Sequence, residues 1–190
     1  MLLGLFVYYG EFMKEFDKVL ISKEDIEIKV KEISKKISAD YKGLNPLFVC
    51  ILKGSVFFTA DLLRNVDTPA QIDFMVVSSY GSGTTSSGTL NIKKDLAVDI
   101  KDKHVIIVED IIDSGNTLAL LKEMLLKRNP SSVKICTLLD KPDRRVRDVK
   151  VDYCGFQIPD EFVVGYGLDY DENYRTLPDI RVLSREVYEK

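Results

Sequence analysis

The chain has 190 residues, 45% of them hydrophobic, with 27 Lys+Arg against 30 Asp+Glu and a formal net charge of −3. That length and apolar content fit one domain with a full core. The mixed charge argues against disorder, and against the basic footprint that nonspecific nucleic-acid binding needs.

Residues 1–12, MLLGLFVYYGEF, are apolar but far short of the roughly 20 residues of a membrane helix, and no basic segment precedes them as in a signal peptide. From Met13 the sequence reads like an ordinary soluble N-terminus. Residues 1–12 are therefore expected to lie outside the fold, and 13–190 to form a single domain with its core over about 44–150. Ser22 and Asp25 make a capping-box pattern. Ile26, Val30, Ile33 and Ile37 follow at helical spacing, predicting an amphipathic helix that ends near Gly43. Leu47 to Leu52 reads as a buried strand, then Lys53-Gly54, then a helix from about Ser55 to Arg64. Gln71 to Ser78 is a further strand, followed at 80–88 by YGSGTTSSG, a loop without an apolar anchor.

Val105 to Val108 predicts a buried parallel strand that stops at Glu109 and Asp110. A small polar turn, Asp113-Ser114-Gly115-Asn116-Thr117, leads into a helix marked by Leu118, Leu121 and Leu125 and ended by Asn129-Pro130. Val133 to Leu139 is another core strand. Short strands are expected near Cys154 to Ile158, Phe162 to Tyr166 and Val182. Alternating strands and helices indicate an α/β fold: a mostly parallel twisted sheet flanked by helices. The less regular N- and C-terminal segments suit a small hood over the sheet edge. No repeat, linker or second domain shows.

Cys50, Cys136 and Cys154 are odd in number, widely spaced and without a CxxC, each in an apolar, strand-like run. They are expected to be free thiols acting as small hydrophobes in a reducing, cytoplasmic compartment. His104 has no second histidine to form a metal pair and is expected at the strand entry.

The segment VIIVEDIIDSGNT, residues 105–117, carries the most chemistry. Ligands of open α/β sheets sit beyond the carboxyl ends of strands. Here two carboxylates and a turn opening a helix meet at that place, and such turn amides bind phosphate directly. Gly115 lets the backbone approach an anion, and Ser114 and Thr117 offer hydroxyls. The plainer alternative is an ordinary βα unit with solvated acids and Asp113 as a helix cap. Neither GxxxxGK[ST] nor GxGxxG occurs.

The same 13 residues resemble the signature of type I phosphoribosyltransferases, which bind phosphoribosyl pyrophosphate (PRPP). The resemblance implies that Glu109, Asp110, Ile111, Ile112, Asp113, Ser114, Gly115, Asn116 and Thr117 contact PRPP. In it the acids hold the ribose hydroxyls, directly or through Mg²⁺, and the turn holds the 5′-phosphate. Four further stretches resemble the hypoxanthine-guanine branch, so that the likeness covers nearly everything after residue 13. Leu52-Lys53-Gly54 looks like its pyrophosphate loop, often with a cis peptide before the lysine; a plain turn is the alternative. Ser79-Tyr80 resembles the base of a mobile lid, where composition alone would say hairpin tip.

Lys141, in LLDK, matches the lysine that contacts the purine 6-oxo group. An ammonium is donor-only, so it accepts a 6-oxopurine and clashes with the amino group of adenine; alone it would read as a solvated lysine. In IPDEFVVGYGLDYDENYRTLPDI, residues 158–180, the match implies that Phe162 stacks on the purine and Val163 reads its edge. It also implies that Asp169 joins Glu109 and Asp110 in holding Mg²⁺, and that Arg175 touches pyrophosphate. A strand aromatic is otherwise more often core. The implied reaction transfers ribose 5-phosphate from PRPP to N9 of hypoxanthine or guanine, with Asp113 as general base. Two rivals stay open: a regulatory, PRPP-sensing or RNA-binding protein on the same scaffold, and an enzyme using xanthine or adenine. A regulator would need an added DNA-binding domain or a basic face. By family analogy a homodimer or homotetramer is expected, with small-molecule substrates and neither nucleic acid nor membrane as partner.

Overall fold

A computed structural model of the chain describes residues 12–79 and 90–189. Its element order is β1 (Phe16–Ile21), α1 (Lys23–Asp40), β2 (Leu47–Ile51), α2 (Val56–Asn65), β3 (Gln71–Ser79), β4 (Leu90–Lys94), β5 (His104–Ile112), α3 (Asn116–Leu126), β6 (Ser132–Asp140), β7 (Tyr153–Gln157), β8 (Val163–Val164), β9 (Ile180–Leu183) and α4 (Arg185–Tyr188). A six-stranded sheet runs β4-β3-β2-β5-β6-β7, parallel except at β4, and a three-stranded antiparallel sheet runs β1-β9-β8. The second sheet is the expected hood, made from both ends of the chain.

Side chains alternate along the central strands, so each strand feeds both faces of the sheet. Phe48, Ile106 and Val108 face one core with Ile26, Val30, Ile33 and Ile37 of α1. Val49 and Ile107 face the other, with Leu118, Leu121 and Leu125 of α3. The start of α1 is closed by its own residues: Ser22 Oγ accepts the Asp25 amide at 3.1 Å and donates to the Asp25 carboxylate at 2.6 Å. The helix ends at Asp40, and Gly43 takes a left-handed φ of 77° in the turn beyond.

Several expectations need correction. β5 does not stop at Glu109 and Asp110; it continues to Ile112, because β6 stays paired with it as far as Ile112↔Asp140. The strand expected over Phe162 to Tyr166 shrinks to Val163–Val164, since Gly165 and Tyr166 take φ values of 103° and 48° and leave the ladder. Cys154 is exposed, on the edge strand β7, whereas Cys50 and Cys136 are buried. Strands β1 and β4 and the short helix α4 escaped the sequence pattern; β1, FDKVLI, has exposed residues along much of its length and no long apolar run. Phe12, the last residue of the expected extension, packs against Phe16 and Tyr174 at centroid distances of 5.3 and 6.0 Å. The contacts of the fold therefore reach at least that far. His104 is the first residue of β5, its Nδ1 2.9 Å from Ser132 Oγ.

Candidate active site

The site begins with a mismatch in strand length. β2 pairs with β5 only through Cys50↔Val108, whereas β6 accompanies β5 four residues further. Past Val108, β5 has a partner on one side and an opening on the other. Residues 52–54 turn across that opening after a cis Leu52–Lys53 peptide. The approach is close enough to demand glycine. A Cβ on Gly54 would lie 1.5 Å from Asp110 Oδ2, and one on Gly167 would lie 1.9 Å from the Gly54 carbonyl oxygen. Lys53-Gly54, Asp110 and the 165–168 turn are thus stacked on one another.

The paired acids feel this enclosure. Burial, with the Asp110 charge adding, raises the Glu109 pKa well above the usual carboxylate range, and Glu109 Oε2 is buried without a hydrogen-bond partner among the described residues. Burial pushes Asp110 up to about 6, against the pull of the Ile111 amide, which donates to Oδ1 at 2.7 Å, and of the Arg175 charge. Both acids are poised for a partner that brings positive charge or hydrogen-bond donors.

Beyond them lies the turn. Gly115, at φ 82°, is the N-cap of α3 and offers no side-chain acceptor to its first-turn amides. Ser22 fills that role in α1, whereas at α3, among the described residues, only a long 3.4 Å contact joins the Asn116 amide to Ser114 Oγ. Such N–H groups, with the positive end of the helix dipole behind them, are suited to hold an anion. A cleft of about 290 Å³ opens there, walled by Val77, Ser78, Glu109, Ile111 to Gly115, Thr117 and Leu118. The turn is braced from behind. The Val146 and Arg147 amides both donate to the Ser114 carbonyl at 3.0 Å. Arg145 donates to the Asp113 carbonyl at 2.9 Å and pairs with the Asp140 carboxylate.

A second cleft of about 260 Å³ is walled by Asp110, Ile111, Asp113, Lys141, Phe162, Val163, Leu168 and Asp169. Ile111 and Asp113 belong to both walls, so the clefts adjoin. Lys141 is buried, its Nζ 3.5 Å from Asp160. Arg144 bridges Asp113 and Asp160 at 3.1 and 3.2 Å. Phe162 is 38% exposed. Past Asp169 a chain of charges continues: Arg175 reaches Asp169 at 2.9 Å and Glu172 at 3.0 Å, and Lys53 reaches Glu172 at 2.9 Å. Arg175 also donates to the Gly167 carbonyl, and its Nε is buried without a partner among the described residues.

Nearly all the expected site residues therefore converge. Asn116 stands at the first position of α3 but lines neither cleft. Ser79 ends β3, paired with Leu90, while Tyr80 and the loop 80–88 lie outside the described residues. Sequence reasoning missed the bracing Arg145, the Arg144–Asp160 bridge and the close-packed Gly167. Arg144 and Arg145 lie among the charges that follow Lys141, a composition that gives no hint of what they touch. Among the described residues no three His, Cys, Asp or Glu side chains converge as a preformed metal cage. Magnesium seldom needs one: it is commonly held by one or two carboxylates together with substrate phosphates and water. The orphaned Glu109 oxygen and the enclosed Asp110 fit that manner of binding.

Residues 20–171 match the family model described as the phosphoribosyl transferase domain. The chain belongs to the phosphoribosyltransferase family. It is 52% identical over 177 residues to a hypoxanthine-guanine phosphoribosyltransferase of Streptococcus thermophilus, covering 93% of this chain and 98% of that one. It is 51% identical over 175 residues to the protein of the same name from Bacillus subtilis, covering 92% and 97%. Among solved structures, a hypoxanthine phosphoribosyltransferase from Staphylococcus aureus superposes with a TM-score of 0.91 at 48% identity, covering 94% of this chain and 97% of that one. This phosphoribosyltransferase thus shares its architecture, as well as its sequence, with enzymes of the hypoxanthine-guanine branch.

Proposed function

We propose that the protein salvages purines, transferring ribose 5-phosphate from PRPP to N9 of hypoxanthine or guanine and releasing pyrophosphate. The observation that carries this reading is the shared wall. An anion cleft at the turn and a cleft flanked by Phe162 and Lys141 meet at Ile111 and Asp113. A phosphate and a flat heterocycle can therefore occupy neighbouring clefts, with a sugar between them.

In this reading the 5′-phosphate takes the open amides of Ser114 to Thr117, and Glu109 and Asp110 hold the ribose hydroxyls. Lys53 and Arg175 draw the pyrophosphate to the far side, and Glu109, Asp110 and Asp169 supply carboxylates for Mg²⁺. When bound, the ion offsets the negative charge of the leaving group. Phe162 stacks on the base, the Val163 backbone reads its edge, and Lys141 donates to the 6-oxo group. Asp113, in both walls, takes the proton from the base as N9 attacks C1 of the ribose. Arg144 pairs with that carboxylate at 3.1 Å. The exposed Ile28, Val56 and Phe57 on α1 and α2 are in keeping with a homo-oligomer.

The test is an assay of purified protein with PRPP and Mg²⁺ against hypoxanthine, guanine, xanthine and adenine, following pyrophosphate release. Turnover of the 6-oxopurines with adenine inert is expected. Turnover of none of the four would overturn the reading.

A further inference from the structure

Phe162 lies just outside the hood ladder, yet its backbone and its ring are both held by the C-terminal segment. The Leu183 amide donates to the Phe162 carbonyl at 2.9 Å, where β9 ends. The chain then turns at Ser184, whose amide donates to the Glu15 carbonyl at 2.8 Å, and coils through α4. One turn later the Tyr188 ring lies on the Phe162 ring, at a centroid distance of 4.8 Å and an interplanar angle of 26°. Tyr170 meets Phe162 edge-on at 5.7 Å and 88°, and approaches Tyr188 at 6.4 Å and 62°. Neither tyrosine lines the base cleft, although Phe162 does. They therefore meet the ring from outside the cleft.

We propose that Tyr188 is a positioning residue for the purine: it backs the outer face of Phe162, so that the inner face is held flat against the base. A phenylalanine ring more than a third exposed at the rim of a cleft has room to change rotamer. A stacked ring behind it removes that freedom before the base arrives. Ordering lost in advance is not lost on binding, and affinity gains accordingly. Tyr170 fixes the rotation of the pair from the edge, the arrangement favoured by the ring quadrupoles. This inference rests on the reading of Phe162 as the stacking platform.

The test compares Tyr188→Ala, Tyr188→Phe and Phe162→Ala by steady-state kinetics with each substrate varied in turn. Tyr188→Ala should raise KM for hypoxanthine by about three- to tenfold, the scale of one aromatic pair, while kcat and KM for PRPP stay within about twofold. Tyr188→Phe keeps the flat ring and should restore the parental KM. An equal change in both KM values, or failure of the phenylalanine to rescue, overturns the proposal in favour of a general folding role. If Phe162→Ala raises KM for the base and Tyr188→Ala does not, the backing role fails while the platform stands. If Phe162→Ala leaves that KM unchanged, the platform reading fails, and the backing role with it.

Discussion

From Val105 to Leu118 the chain builds one half of the site in a single pass: strand, acids, turn and helix start. The other half has no such continuity. Lys53 follows β2, Lys141 follows β6, Phe162 precedes β8, and Arg175 lies in the connection to β9. The first half is placed by backbone rules, since an uncapped helix after a central strand points its amides at one spot whatever surrounds it. The second half is placed by contacts, above all the stack of Asp110, Gly54 and Gly167. Chemistry that depends on the turn should therefore survive local changes that the assembled half cannot tolerate.

The sharpest way to press this contrast is at the residue both clefts share. Asp113→Asn keeps the shape of the turn and should lower kcat by about 10²–10⁴-fold with little change in PRPP affinity, separable by single-turnover kinetics and calorimetry. Equal losses in both would make Asp113 a structural part of the turn. Next comes the contact-built half. Gly167→Ala puts a methyl group against the backbone of Gly54 at a φ of 106°, which no rotamer change relieves. A displacement of this kind near reacting groups costs about 100-fold, so kcat/KM should drop by that order. Tm should fall as well; a variant with normal turnover would show that the stack is not what places Lys53.

Lys141→Met should reduce kcat/KM for hypoxanthine by about 10–100-fold, as expected when one buried donor to the base is lost, and leave KM for PRPP nearly unchanged. A matching loss for PRPP would join the two halves where the comparison keeps them apart. The smallest effect concerns Asp110. Burial holds its carboxyl neutral to about pH 6 in place of the ordinary 3.8. A carboxyl whose folded pKa is raised lends stability that is complete below the unfolded value and lost as pH climbs through the folded one. Ligand-free protein should thus soften slightly between about pH 4 and 6. Asp110→Asn should raise Tm at pH 7 by about 2 °C while weakening PRPP binding. A lower Tm at pH 7 would mean that Arg175 outweighs the burial.

What could be read ahead of the structure follows the same division. The stripe Ile26, Val30, Ile33, Ile37 and the run Val105 to Val108 encode their burial in their own spacing, and both lie in the core. The acids and the turn after β5 were legible because strand, turn and helix are consecutive. Lys53, Lys141, Phe162 and Arg175 could be picked out only through resemblance, since nothing local separates Phe162 from a core aromatic. Gly167 stayed hidden because its reason lies in Gly54, far away in the chain, and Arg145 because its role is to brace the Asp113 carbonyl 32 residues earlier. The extent of β5 past its acids was missed for a similar cause: pairing with β6, not local composition, sets where it ends.

The common wall of Ile111 and Asp113 has a consequence for what should bind most tightly. A molecule carrying a phosphate at one end and a purine at the other can fill both clefts at once. Its second end then docks at the high local concentration set by the short link between them, not at its concentration in bulk. Nucleoside monophosphates, and stable mimics that join a base to a phosphonate by a flexible arm, should outcompete either fragment alone by far more than the contacts of the arm explain. Their departure, and not the bond-making step, then becomes the natural place for a turnover cycle to slow.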